Sequence, residues 1–271
     1  MTYLGLTLIK NHKGYEVCMR SYIEDVLKQY GKPIRDATTP AKPQLFNTSS
    51  FDEIMKEKAE FHSIVAKLLY LGNRGRPDVL LPVQYLCTRV QSPTKADAQK
   101  LERVLGYLQM TKRWTRVFDN SPFERVETYI DASFATHPDG KGQSGCLIML
   151  GNTLVHEVCK KQTLIMQSST EAELVALSDL ILEGGMVEEF IMDIRTMMDD
   201  DFVTNGHLVY QDNKSTMALV KSGGGKPRSK YMKVRQEYVK ERLKPSELEI
   251  EYKQTKCMYA DVLTKPLGGE L

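Results

Sequence analysis

A glutamate stands where a helix would ordinarily bury an apolar side chain, and it restricts what this chain can fold into. In S-S-T-E-A-E-L-V-A-L, Glu173 precedes Ala176, Leu177 and Leu180 by three, four and seven residues. It therefore shares the apolar face of a helix beginning near Thr170. A carboxylate aimed at a core is costly unless it is paired, hydrogen-bonded or bound to a cation. Glu171 lies two residues earlier, about 200° around an ideal helix. It reads more simply as a first-turn acid favoured by the helix dipole. Glu173 is the candidate and Glu171 its reserve.

Three further acids have recognisable settings: Asp131 in Y-I-D-A-S, Asp212 in Y-Q-D-N and Asp261 in A-D-V-L-T-K-P-L. Asp131 follows Tyr129 by two residues and Asp212 follows Tyr210 by two, and residues two apart share one face of a strand. If the two strands are parallel neighbours, both carboxylates reach the same sheet edge. Taken alone, each also reads as a turn or cap residue, and Asp261 begins a last helix where acids are favoured anyway. Together they mean more. Converging carboxylates repel by several kcal/mol without a cation between them. Magnesium takes oxygen ligands, and a pair of such ions can clamp both oxygens of a phosphodiester displacement. The run M-D-D-D at 198–201 reads as a solvated acidic loop.

Periodicity supplies the scaffold for these acids. Alternation over 126–134 predicts a strand, followed by strands over 145–150 and 153–159. A long helix starts at Thr170, capped by Ser168, Ser169 or Thr170 itself. It can break at Gly184 and Gly185 before running to about Met197. A strand over 207–212, helices over 213–221 and 231–243, a strand over 248–253 and a short helix from Tyr259 complete this half. The order predicts an α/β fold with a mixed five-stranded sheet and flanking helices. Residues 1–120 read differently. A hairpin of strands over 3–9 and 15–19 precedes a short helix capped by Ser21, a Pro-containing loop and several amphipathic helices. This smaller, mainly helical segment shows no catalytic constellation.

No stretch approaches the roughly 18 to 20 apolar residues of a membrane span, and no basic leader precedes the first apolar run. Neither a membrane partner nor secretion is expected. Cys18, Cys87, Cys146, Cys159 and Cys257 are scattered without a C-x-x-C pair, as in a cytosolic or nuclear protein with reduced thiols. The net charge of +2 names no partner. Its distribution is more informative, because K-S-G-G-G-K-P-R-S-K at 221–230 gathers cations around flexible glycines. Lys226, Arg228, Lys230 and Lys233 are candidates for sequence-independent phosphate contacts. The same run also reads as a solvated basic loop, and it lacks the G-x-x-x-x-G-K-S/T phosphate-binding pattern.

In combination these motifs resemble the copia-type family of LTR retrotransposon Pol proteins. S-S-T-E-A-E-L-V-A is similar to the family's S-S-x-E-A-E-Y-x-A, Q-D-N-K-S-T-M-A-L to its D-N-x-S-A block, and A-D-V-L-T-K-P-L to its closing motif. C-K-K-Q-T at 159–163 resembles the S-K-K-Q-x segment before the helix. Upstream, Y-L-G-L at 3–6 resembles the start of the post-palm hairpin. R-P-D-V at 76–79 and G-Y-L-Q-M-T at 106–111 resemble blocks of the connecting region.

The resemblance implies the C-terminal part of a reverse transcriptase over 1–120 and a ribonuclease H-like domain over 121–271. Asp131, Glu173, Asp212 and Asp261 would hold two Mg²⁺ ions, with Mn²⁺ able to substitute, and cleave the RNA strand of an RNA–DNA hybrid. The polymerase carboxylates would precede Met1, so no polymerisation is expected from this stretch. Implied partners are the hybrid, the upstream palm and fingers, and the integrase of the parent polyprotein. The implied setting is cytoplasmic (including a virus-like particle) or nuclear. Two positions depart from the pattern. Lys230-Tyr231-Met232 places tyrosine where K-H-I has histidine, and Glu157 stands where tryptophan is common. Tyrosine cannot take up a proton near neutrality as histidine does. The alternative is thus a catalytically decayed or domesticated nucleic-acid-binding remnant.

Overall fold

The computed structural model describes residues 2–48, 52–198, 204–222, 229–243 and 248–266. The chain divides into two compact units, Met1–Asn120 with Lys265–Leu271, and Ser121–Thr264. The ribonuclease H-like domain is expected over 121–271, of which 267–271 lie outside the described residues.

In the first unit, β1 (Thr2–Tyr3), β2 (Leu6–Asn11) and β3 (Gly14–Cys18) lead into α1 (Arg20–Tyr30). Ser21 lies inside the first turn of α1, and Met19 occupies the cap position without a side-chain hydrogen bond. Next come α2 (Lys58–Arg74), a 3₁₀ turn (Pro77–Val79), α3 (Leu80–Cys87) and α4 (Lys95–Thr111). A fourth strand, β4 (Thr115–Asp119), pairs antiparallel with β3 and makes a sheet ordered β1-β2-β3-β4. The expected hairpin is therefore part of a four-stranded sheet. The strand T-R-V-F-D has no fully buried position, so it lacks the alternation by which a half-buried strand is recognised.

Two motif blocks of this unit meet in space. Buried Arg76 donates to Asp78 Oδ2 (2.7 Å) and to the Thr111 carbonyl (3.0 Å), while Tyr107 donates to the same Asp78 oxygen (2.8 Å). R-P-D-V and G-Y-L-Q-M-T are thus two halves of one hydrogen-bonded joint. Its charge is paired, as burial of an arginine requires.

The second unit begins with β5 (Val126–Ser133), β6 (Gln143–Leu150) and β7 (Thr153–Lys161). It continues through α5 (Ser169–Met197), β8 (His207–Gln211), α6 (Lys214–Ser222), α7 (Lys230–Arg242) and β9 (Leu248–Tyr252). The 3₁₀ turns Thr255–Cys257 and Tyr259–Leu263 follow, the latter where a short helix was expected. The sheet order is β7-β6-β5-β8-β9. The first three strands are antiparallel, and β8 and β9 run parallel to β5. This is the expected ribonuclease H-like mixed sheet, with β5 at its centre.

The core lies between one sheet face and α5, where Ile130, Ile148 and Val209 pack with Leu174, Leu177 and Ile181. Full burial of each such side chain contributes about 1.5–3 kcal/mol. α5 does not break at its paired glycines but runs 29 residues without interruption. Gly184 faces the sheet, where an added Cβ would collide with the His207 ring and Thr128 Oγ1, whereas Gly185 has nothing within 4 Å. The first glycine permits close helix–sheet approach, so its role is packing and not termination.

Candidate metal centre

Alternation along β5 sends Val126, Ile130 and Ala132 into the α5 core and leaves Glu127, Tyr129 and Asp131 on the opposite face. The parallel ladder sets Tyr129 beside Tyr210, so the aspartates two residues further along come to the same sheet end. Asp131 is 0% exposed and Glu173 5% exposed, while Asp212 is partly exposed. Each offers an oxygen within 4.8 Å of the other two, the one such acidic group among the described residues. Three different elements supply it: a strand, a helix and the end of a second strand.

Each carboxylate has polar support. Glu173 accepts from the Ala132 backbone N–H and from Gln211 Nε2 (3.4 Å). Gln211, itself fully buried, accepts the Asn213 N–H at Oε1 (2.9 Å). Thr255 donates to Asp212 Oδ2 (2.7 Å), and the Thr264 hydroxyl donates to Asp131 Oδ2. Burial raises the Glu173 pKa well above the usual carboxylate range, and the charges of Asp131 and Asp212 push it the same way. A divalent cation would relieve that repulsion. Three oxygen donors converging from rigid elements match what hard cations take, so the residues present fit such an ion.

The structure separates the two glutamates of the helix motif. Glu171 N–H donates to the capping Ser168 Oγ (3.2 Å), and its carboxylate accepts the Gln167 N–H (2.9 Å). It is a helix-start residue and lies outside the acidic group. Asp261 also stands outside the mutual 4.8 Å group. It belongs to the partly exposed 3₁₀ turn Tyr259–Leu263, which packs on β5 and β6. Lys230 and Lys233 are exposed on α7, whereas Lys226 and Arg228 lie outside the described residues. Tyr231 is 41% exposed, with the Arg235 guanidinium 4.7 Å over its ring. Glu157 is buried on β7.

Strand periodicity had placed Tyr129 and Tyr210 beside the aspartates, but it had not pointed to Tyr259, Glu127 or Lys253. On the face shared with Asp131, the Tyr129 ring lies 4.8 Å from both Tyr210 and Tyr259. Both Tyr129 and Tyr210 hydroxyls donate to Glu127 (3.1 and 3.3 Å). Lys253 sits 3.9 Å over Tyr210. Burial and the Glu127 charge push the Tyr210 pKa up to about 12, so it remains a neutral donor near neutrality. Gln211 was accessible from alternation with Val209. Thr264 lies within A-D-V-L-T-K-P-L but its role there was not legible, and Thr255 carried no signal.

No protein-family model matches the chain. Over 271 residues it is 25% identical to the retrovirus-related Pol polyprotein from transposon RE1 of Arabidopsis thaliana, covering 98% of this chain and 18% of that polyprotein. It is 28% identical over 178 residues to an uncharacterized mitochondrial protein of the same plant, covering 65% of this chain and 73% of that protein. It is 24% identical over 280 residues to the transposon Ty1-DR5 Gag-Pol polyprotein of Saccharomyces cerevisiae, covering 97% and 16%. The chain therefore spans under a fifth of the Pol polyproteins it matches. Among solved structures, a foamy viral protease-reverse transcriptase in complex with double-stranded DNA matches with a TM-score of 0.50 at 12% identity, over 94% of this chain and 38% of that one. A second, in complex with an RNA/DNA hybrid, matches with a TM-score of 0.50 at 11% identity, over 94% and 29%. These likenesses establish a shared fold. Along nearly its whole length the chain is similar to the Pol polyproteins of retrotransposons, and its second unit carries the ribonuclease H-like sheet expected of them.

Proposed function

We propose that the second unit is a ribonuclease H, hydrolysing the RNA strand of RNA–DNA hybrids as part of a longer Pol-type polyprotein. Its partners there would be an upstream reverse transcriptase palm and an integrase. One observation carries the reading: Asp131, Glu173 and Asp212 come from three separate elements and place oxygens within 4.8 Å of one another. These residues would hold two Mg²⁺ ions, with Asp261 on the neighbouring 3₁₀ turn as a fourth acid and Mn²⁺ an acceptable substitute. Bound ions of this kind supply an activated water and charge stabilisation for a departing 3′ oxygen.

The chain's own groups prepare that site. Gln211 and the Ala132 N–H orient Glu173 from the core side, and Thr255 orients Asp212 from the open side. The rings of Tyr129, Tyr210 and Tyr259 pack together beside Asp131, with the Tyr129 and Tyr210 hydroxyls tied to Glu127. Lys230 and Lys233 would meet backbone phosphates, and RNA would be distinguished through its 2′-hydroxyls. A second reading, hybrid binding without turnover, is favoured by Tyr231. Its exposed ring lies under Arg235 where the resemblance places a titrating histidine.

Purified protein incubated with labelled RNA–DNA hybrid and Mg²⁺, beside Asp131→Asn, separates the two. RNA-strand cleavage that disappears in the variant is the expected result. Hybrid binding without cleavage would sink the enzymatic reading and leave the binding one.

A further inference from the structure

The Thr264 hydroxyl lies 133 residues from Asp131 in sequence and yet donates to its Oδ2. Thr264 is 0% exposed. Its hydroxyl has one proton and two acceptors within reach, Asp131 Oδ2 and the Asp261 carbonyl at 3.3 Å. The Thr264 backbone N–H already serves that carbonyl at 3.1 Å. The hydroxyl proton therefore goes to the carboxylate, where the bond is charge-assisted and stronger.

Two other features seat this threonine. Gly145 is the ladder partner of Asp131, and a Cβ there would come within 2.8 Å of Leu263 Cβ and 2.9 Å of Thr264 Cγ2. Only a strand bare at that position lets the 3₁₀ turn lie flat over the sheet. The Cys159 thiol on β7 donates to the Leu263 carbonyl (3.2 Å) and accepts from Gln143 Nε2 (3.2 Å). Gln143 Oε1 in turn meets His137 Nε2 (2.9 Å). A buried chain of side chains thus fixes the peptide immediately before Thr264. Leu263 and Ala260 are themselves fully buried, which anchors the turn on both sides of Asp261.

We infer that Thr264 is a positioning residue for the acidic centre, holding the Asp131 carboxylate in one orientation through a hydroxyl seated by Gly145 and Cys159. The inference rests on the cation-binding reading of that centre and adds a residue to it. A carboxylate has about four acceptor sites on its two oxygens, so one hydroxyl bond leaves it able to ligate. Groups that hydrogen-bond to a ligand commonly change metal affinity or activity about 10–100-fold when removed.

The test is calorimetric titration of Mg²⁺ into the wild type, Thr264→Val, Thr264→Ser and Cys159→Ala, with kcat and KM for hybrid cleavage measured alongside. Thr264→Val keeps the shape and loses the hydroxyl. It should weaken Mg²⁺ binding about tenfold or more and lower kcat with little change in KM. Thr264→Ser should return both to within about threefold of wild type. Cys159→Ala leaves the hydroxyl in place, and a measurable loss smaller than that of Thr264→Val is expected from the looser seat. It decides the matter if Thr264→Val does not fold. Wild-type affinity in Thr264→Val, or in Cys159→Ala when that variant must decide, overturns the inference while the cation site stands. Absence of Mg²⁺ binding by the wild type overturns both.

Discussion

Replacing Glu173 with glutamine should make the cation-free protein more stable and its acidic centre unable to bind a cation. Glu173 is 5% exposed and has oxygens within 4.8 Å of both aspartates. At an effective dielectric constant of about 20, two unit charges at that distance repel by about 3.5 kcal/mol, and Glu173 takes part in two such pairs. Burial and both aspartates raise the Glu173 pKa, so uptake of a proton relieves part of this repulsion. The folded state then holds more protons than the unfolded one, so stability falls as pH rises. It is fully present below the unfolded glutamate value and lost as pH climbs through the folded one. Glutamine can still accept the Ala132 N–H and carries no charge to lose. Allowing for proton uptake, Glu173→Gln should gain about 1–3 kcal/mol at pH 8 without cation, or several degrees in Tm. Thermal melts in EDTA from pH 6.5 to 9, repeated with millimolar Mg²⁺, provide the assay. The wild type should lose stability with pH in EDTA and recover it with Mg²⁺, and the variant should do neither. A variant less stable than wild type at pH 8 in EDTA would refute the electrostatic argument.

Two other perturbations test the packing of α5 on the end of the sheet away from the acids. His207 is buried with Nε2 2.7 Å from Thr128 Oγ1, and burial lowers its pKa to about 4. The unfolded state therefore takes up the proton first, so stability is full above about pH 6.5 and falls as pH drops toward 4. The loss should reach about 3 kcal/mol, and acid titration of His207→Gln in EDTA should show a correspondingly shallower limb. The paired glycines of α5 should respond in opposite directions in denaturant titrations. Gly185→Ala, in open space, should stabilise by about 0.5–1 kcal/mol through helix propensity. Gly184→Ala must push His207 and Thr128 aside and should cost about 1–3 kcal/mol despite the same propensity gain. Equal effects at the two positions would show that α5 does not depend on close approach at Gly184.

Much of this protein was readable from periodicity and local chemistry. The order of the second unit followed from alternation over 126–134 and from the apolar face running through Ala176, Leu177 and Leu180. The meeting of Asp131 and Asp212 followed from two Tyr-x-Asp strands becoming parallel neighbours. Glu173 was separated from Glu171 by helical phase alone. Such features show because a strand repeats every two residues and a helix every 3.6, so a buried face writes itself into adjacent residues.

Other features had no such local trace. β4 presents no buried face, and only its hydrogen bonds to β3 reveal it as a strand. Gly184 and Gly185 are identical in sequence, and only the sheet opposite makes one a packing contact. Asp261 carries the most recognisable motif yet stands outside the group of three acids, because the 3₁₀ turn that bears it is placed by Gly145 and Cys159 on other strands. Thr264 reaches Asp131 across 133 positions. A single hydrogen bond at that separation leaves no periodicity, and its geometry exists only after the sheet has formed. The sequence by itself determined which acids face inward. Tertiary packing decided which atoms hold them there.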